Sequence, residues 1–429
     1  MSKVTEIVDD LRNIEGVTSN LQSQIDASNT SKQDVLVSGT NIKTVNSTSI
    51  LGSGNVDVQP TLVSGTNIKT VNGDSLLGSG DMSIVGGFSN MAVVTASGTF
   101  TTTFTGKHRI YCVGGGGAGG QSNATTFATA TGGGAGGIAI HEATFNSGTV
   151  ITCVIGAGGV APTTVNTDGG DGGTTTVSTT DASSTVVSLS ATGGTGGTQS
   201  LSGSAAISGG LGGNGTGGNV FNGIGGTGGS VSGTTTSTCI RATGGGGVPL
   251  VTGAITRGGN IAGNSTTTDA HGATGGGGAY YRGGDISSLG TEGVVVVATG
   301  GAGTLENGVD SASTTGIIST LGGLGFSTNA SKFGLGVPGI TGSSLAIKFP
   351  SGNIGAGGGG IAKQTSNSSL NNIYSLPFGG SGGYTATTNA AQIGCKVGYG
   401  GGKGGVAVPV AAALTSITNG GDGVVIIEW

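Results

Sequence analysis

Apolar and polar residues follow two different rhythms along this chain of 429 residues. Near the start, Val4, Ile7, Leu11, Ile14, Thr18, Leu21, Ile25 and Ser28 recur at alternating steps of three and four. That is a heptad seam, with Val4, Leu11, Thr18 and Ile25 at a, and Ile7, Ile14, Leu21 and Ser28 at d. The flanking Asp9, Asp10, Arg12, Asn13, Glu15, Asn20, Gln22 and Gln24 are polar. One such helix alone leaves its stripe in water, and β-branched residues at d favour three strands over two. The spacing predicts a trimeric coiled coil over residues 1–30, joined through Val4, Ile7, Leu11, Ile14, Leu21 and Ile25. An amphipathic helix packed on its own domain is the competing reading, and Gly16 weakens the coil.

A repeat follows over residues 31–87. Leu36-Val37-Ser38-Gly39-Thr40-Asn41-Ile42-Lys43-Thr44-Val45-Asn46 returns unchanged as Leu62 to Asn72, 26 residues later. Asn72-Gly73 and Asn46-Ser47 read as hairpin turns, so each unit is a set of short strands. A unit this small needs stacked neighbours or partner chains to bury its apolar residues.

From Phe88 onward the second rhythm takes over. Short β-like runs lead straight into glycine clusters: Ile110-Tyr111-Cys112-Val113 into Gly114 to Gly117, Val154-Ile155 into Gly156, Cys239 to Thr243 into Gly244 to Gly247, and Val294 to Thr299 into Gly300. The chain ends on Val424-Val425-Ile426-Ile427-Glu428-Trp429. Flexible linkers are Gly/Ser-rich and poor in apolar residues, whereas these clusters are bracketed by Val, Ile and Leu. An extended left-handed helix of three residues per turn has no internal hydrogen bonds. Its amides must bond to neighbours, and where neighbours touch on every side no Cβ fits. Residues 88–429 suit one such module, or two divided near residue 230.

Composition narrows the field. There are 98 Gly, and only 8% of residues are charged. A fold built on long helices is excluded, since Gly costs about 1 kcal/mol per helical position relative to Ala. Collagen would need Gly at every third position and abundant Pro, and only 7 Pro are present. A net charge of −5, with 15 Lys plus Arg, gives no basic footprint for nucleic acid. Met1 to Asp10 lack the apolar core of a signal peptide, and the longest apolar stretch, Val406 to Leu414, is far short of a membrane span. The expectation is a product made in the cytoplasm, with no membrane insertion. Cys112, Cys153, Cys239 and Cys395 lie far apart, in or beside apolar runs, and read as buried reduced thiols.

Catalytic motifs are weak. Gly-x-Gly-x-x-Gly is frequent by chance at this Gly content, and no helix follows it. Lys403 is followed by Gly404 where a phosphate loop needs a hydroxyl. Asp168 and Asp171 do not supply the oxygens calcium wants and read as turn residues. His108, His141 and His271 show no zinc spacing. No catalytic residue, metal or cofactor is expected, and the chain reads as a non-enzyme. Aromatics are scarce at 4%, so their clusters carry weight. Tyr280, Tyr281 and Arg282, together with Tyr374, Phe378 and Tyr384, are the candidate binding residues; Tyr399 falls in the same stretch. The same rings also suit gap-filling in a thin core.

Leu62 to Asp81 resembles, nearly word for word, the shaft repeats of tailed-bacteriophage tail fibres. The phrases Tyr111 to Gly120, Gly132 to Gly137, Val154 to Gly159 and Gly421 to Trp429 resemble the glycine-rich receptor-binding tips of such fibres. The resemblance implies a mainly β, elongated homotrimeric fibre with packed polyglycine II helices at its distal end. It implies a virion protein that attaches through its N-terminal region to other tail or baseplate proteins. It would bind a bacterial surface receptor, a polysaccharide or an outer-membrane protein, non-covalently and multivalently. A tailspike-like polysaccharide depolymerase and a purely structural spacer are the alternatives.

Overall fold

The computed structural model describes residues 2–31, 87–124, 126–203, 206–233, 235, 239–262, 269–289, 294–302, 307–313, 316–319, 340–341, 361–363, 378–386, 398–408 and 419–429. The chain divides into Met1–Gly86 and a body, Gly87–Trp429. The repeats of residues 36–85 and Tyr374 lie outside the described residues.

In the first unit the described residues form one helix, α1 (Ser2–Ser31). Local bonds support it: Gln22 Nε2 donates to Asp26 Oδ1 at 2.9 Å, and Thr18 Oγ1 donates back to the Ile14 carbonyl at 2.7 Å. The apolar seam is uncovered in the single chain, with Val4 68% and Leu11 52% exposed.

The body is mainly β. Its strands are β1 (Met91–Val94), β2 (Gly98–Thr101), β3 (Gly106–Val113), β4 (Gln121–Asn123), β5 (Phe127–Ala130), β6 (Ile138–Phe145), β7 (Val150–Val154), β8 (Thr175–Thr180), β9 (Val186–Ala191), β10 (Gln199–Ser200), β11 (Gly215–Thr216) and β12 (Phe221–Gly223). Then come β13 (Cys239–Ala242), β14 (Asp269–Ala273), β15 (Ile286–Leu289), β16 (Val294–Ala298), β17 (Ser311–Ser313), β18 (Gly316–Ser319), β19 (Ile340–Thr341), β20 (Ile361–Lys363), β21 (Tyr384–Ala386), β22 (Val406–Val408) and β23 (Val424–Glu428).

Two antiparallel sheets, β1-β23-β3-β6-β12 and β11-β9-β8-β7-β2, share one core. Strand alternation builds it. In β3, His108, Ile110 and Cys112 point inward, and they meet Ile151 and Cys153 of β7 and Leu189 of β9 in the buried interior. A second pair of sheets is mostly parallel: β10-β5-β13-β14-β16-β18, with only β10 antiparallel, and β19-β20-β21-β22-β4. Between them lie mostly alanines, Ala128, Ala130, Ala242 and Ala407, with Ile240.

Glycine segments run between these two sheet systems. The chain passes from β3 through residues 114–120 to β4, returns from β5 through 131–137 to β6, and crosses again from β9 through 192–198 to β10. Their main chains bond to one another with a step of three. The N–H groups of Gly114, Gly117 and Gly120 donate to the carbonyls of Gly137, Gly134 and Thr131 at 3.0, 2.8 and 2.9 Å. Those of Gly115 and Ala118 go to Gly173 and Gly170, and that of Gly116 goes to Gly421. Successive amides therefore face different neighbours, and every third one returns to the same neighbour. All of residues 114–120 and 131–137 are buried.

Outer segments follow a simple consequence. In Thr192-Gly193-Gly194-Thr195-Gly196-Gly197-Thr198, Thr192 and Thr195 face water while Gly194 and Gly197 are buried. Their hydroxyls stand in for a missing neighbour: Thr192 Oγ1 accepts the Asn214 N–H at 2.7 Å and Thr195 Oγ1 accepts that of Leu211 at 2.6 Å. Asp168 and Asp171 play the same part, accepting the N–H groups of Gln199 and Gly196, both at 2.8 Å.

A further repeat links the parallel strands. β13, β14 and β16 each run into Ala-Thr-Gly-Gly, at Ala242, Ala273 and Ala298. Thr243, Thr274 and Thr299 donate to the carbonyls of Gly229, Gly259 and Gly284 at 2.5, 2.6 and 2.6 Å. Each hydroxyl also accepts an N–H from the adjoining segment, from Gly132, Gly244 and Gly275. The three form a ladder of buried threonines.

A Cβ at Gly134 would fall inside 3.0 Å of the Leu211 carbonyl, whereas one at Gly98 meets nothing within 4 Å. Gly134→Ala is expected to destabilise the body by about 1–3 kcal/mol, as overpacked sites do. Gly98→Ala should stay within about 0.5 kcal/mol of the parent. Urea unfolding of the two variants checks this; equal midpoints would refute the backbone contact as the reason for glycine.

Candidate functional site

The outer face of β3 carries what the sandwich core does not use. Alternation sends Lys107, Arg109 and Tyr111 outward. Register then aligns two rows across the sheet. Arg109 lies opposite Glu142 of β6 and Glu428 of β23, making a charged row. Tyr111 lies opposite Ile140 and Ile426, and Ile140 lies opposite Phe221 of β12, making an apolar and aromatic row.

The charged row is internally paired. Arg109 Nε donates to Glu142 Oε1 at 2.6 Å, and Lys107 also pairs with Glu142. The Tyr111 hydroxyl donates to Glu428 Oε2 at 3.0 Å. The Arg109 guanidinium carbon lies 4.9 Å from the centre of the Phe88 ring, a cation–π contact. Hydrogen bonding from Lys107 and then Arg109 holds the Glu142 carboxyl below its ordinary value, although burial opposes this. Burial raises Tyr111, which keeps its phenol protonated and donating.

Beside these rows, Leu250, Val251 and Tyr280 rise from the neighbouring loops and enclose an open groove of about 480 Å³. Tyr280 is half-buried against a cluster that includes Val248, Ala279 and Val424. The groove walls are the outer face of a paired sheet and the loops that carry Leu250, Val251, Thr252 and Tyr280.

The sequence-predicted residues do not all gather here. Tyr280 lines the groove. Tyr281 is half-buried, and its carbonyl accepts the Gly278 N–H at 2.9 Å. Arg282 is committed elsewhere: its two terminal nitrogens donate to the two oxygens of Asp310, both at 2.7 Å. Arg257 grips Asp285 in the same bidentate way at 2.8 Å, and Arg282 also reaches Asp285 at 3.0 Å. The Asx residues extend the ladder, with Asn260 N donating to Asp285 Oδ1 and Asp285 N to Asp310 Oδ1. Phe378 and Tyr384 are interior, 5% and 1% exposed. Arg109, Tyr111, Phe221 and Leu250 were not singled out by sequence. The available signal was the alternation Lys107-His108-Arg109-Ile110-Tyr111 in a chain with so few charges.

Residues 94–298 match the family model of a glycine-rich domain. That stretch is just under half of the chain. It contains most of the sandwich, the buried glycine segments from Gly114 to Gly278 and every groove residue named above except those of β23. A search of curated proteins returned no match.

Among the described residues, no three His, Cys, Asp or Glu side chains gather as a metal site. Burial, reinforced by Cys153, pushes the Cys112 thiol up to about 12, and burial raises Cys153 to about 11, so neither is a nucleophile at neutral pH.

Burial alone would raise the Asp310 carboxyl, but the bonds from Arg282 and the Asp285 N–H outweigh it, and the group sits below its ordinary value of 3.8. A depressed carboxyl contributes stability above the unfolded value and loses it as pH falls through the folded one. Asp310→Asn is therefore expected to destabilise the body at pH 7 by at most about 1 kcal/mol, because the pair is half exposed. The difference from the parent should shrink as the pH drops below 3.8. Denaturation across a pH series checks this; a constant difference would refute it.

Proposed function

We propose that this chain is a tail-fibre protein of a tailed bacteriophage that binds a receptor on the bacterial surface during host adsorption. The supporting observation is the order of its parts: an uncovered heptad seam, a 26-residue repeat and a glycine-rich body. In this reading three copies join through α1, and the repeats form a β-rich shaft. The buried glycine segments are polyglycine II helices. Their hydrogen bonds, stepping by three between neighbouring main chains, fit an extended left-handed helix of three residues per turn. Binding is non-covalent and multivalent. Three tethered copies raise avidity by about 10²–10⁴ without a new contact, so each site can be weak.

Light scattering of the full chain should give a trimer, and Leu11→Asp with Leu21→Asp should give monomers whose body keeps its β circular dichroism. Adhesion to cells should then fall by about a hundredfold or more, the avidity lost with the tether. A wild-type monomer, or an intact trimer in the double variant, would overturn the coiled-coil assignment.

On a panel of bacterial strains, the purified trimer should adhere to some strains and release no reducing ends from their polysaccharide. Release of reducing ends would replace this reading with a depolymerase. Adhesion to no strain would leave only a spacer.

A further inference from the structure

We infer that the groove bounded by Arg109, Tyr111, Phe221, Leu250, Val251 and Tyr280 binds a neutral glycan. This rests on the receptor-binding reading and narrows it to one site and one ligand class. Three features argue for it.

The first is the shape and chemistry of the wall. A sugar ring has one face of C–H groups and a rim of hydroxyls. It needs an aromatic platform with fixed donors and acceptors beside it. Tyr111, Phe221 and Tyr280 supply rings, and two of them carry hydroxyls. The row of Arg109, Glu142 and Glu428 lies one step along the same sheet face, so its polar atoms flank the rings.

The second is charge. Lys107 and Arg109 are balanced by Glu142 and Glu428, and each of the four is held in an ion pair or hydrogen bond within the sheet. An anionic saccharide would find both cations already paired with Glu142, and would be repelled by Glu428, which is held by the neutral Tyr111 hydroxyl. A neutral occupant asks for hydrogen bonds alone and leaves these pairs intact.

The third is the sheet edge. A protein loop would gain most by adding a strand beside β6, where β12 ends below the groove rim. Along β6 that edge is already closed. Asn219 Oδ1 accepts the Glu142 N–H, Asn219 Nδ2 donates to the Glu142 carbonyl, both at 2.8 Å, and Val220 N donates to the Ile140 carbonyl at 3.0 Å. The side chains above β6 remain open while its main chain does not.

The test uses the full chain on an array of neutral and acidic bacterial surface oligosaccharides, alongside adhesion to whole cells. Bound members should be neutral. Phe221→Ala and Tyr280→Ala should each weaken binding roughly tenfold or more, the effect of removing a packed aromatic anchor. Val251→Arg, at an exposed position that the fold does not depend on, should block the groove and abolish glycan binding. Val186→Arg, exposed on the other sheet of the sandwich, should bind like the parent. Trimers that adhere to cells but capture no glycan would overturn this site and point to a protein receptor; capture of acidic glycans alone would overturn it too, while leaving receptor binding in place. Retained binding in Val251→Arg would place the glycan elsewhere and equally overturn it. Adhesion to no strain, with neutral glycans still captured in a Val251-dependent way, would instead remove the adsorption reading and keep the site.

Discussion

The body depends on one interaction, the hydrogen bond from a glycine N–H to the carbonyl of a neighbouring glycine segment. A glycine-rich chain gives up more conformational freedom on folding than any other, about 0.5–1 kcal/mol per residue relative to Ala in helix or strand. Extended segments return nothing by bonding within themselves. Stability must come from neighbours, and each buried amide left unpaired would cost about 1–3 kcal/mol. The network from Gly114, Gly117 and Gly120 to Gly137, Gly134 and Thr131 therefore leaves little freedom. Losing one partner strands an amide, and adding one Cβ pushes two segments apart.

The placement of side chains follows. A segment with neighbours on all sides has room for Gly and an occasional Ala, as in residues 132–137. One with a free side presents every third residue there, which is why Thr192, Thr195, Asp168 and Asp171 occur in phase. Their short oxygens close the last amides of the bundle. Such positions are already occupied by that task. Longer side chains sit where alternating strands project them, and the outer face of β3 is such a place. Arg282 illustrates the other outcome, because its guanidinium ties one turn of the stack to Asp310 in the next.

Part of this was legible in the residues. The heptad seam needs only spacing, and α1 spans it. Strand runs entering glycine clusters are equally local, and β3, β13, β16 and β23 stand where those runs are. The choice of partners was not legible. Gly115 bonds to Gly173 and Gly116 to Gly421, and nothing in a run of identical residues says which run each will touch. The recurrence of Ala-Thr-Gly-Gly at Ala242, Ala273 and Ala298 was visible, but unequal spacing hid it as a repeat. The aromatic criterion brought together Tyr280, which lines the groove, and Phe378 and Tyr384, which are interior, because scarcity of rings does not distinguish a groove from an interior. Arg109 and Tyr111 were passed over because Cys112 and Ile110 made the strand read as core. Both readings of that strand hold, one for each face.

Glycine segments locked through their main chains have almost no side-chain rotamers to order. The groove is lined instead by side chains, but Arg109, Tyr111, Ile140 and Phe221 stand on paired strands, so the backbone beneath them is set in advance. Preorganisation of this kind favours ligands held by several modest hydrogen bonds and stacking contacts, since each is made without distorting the site.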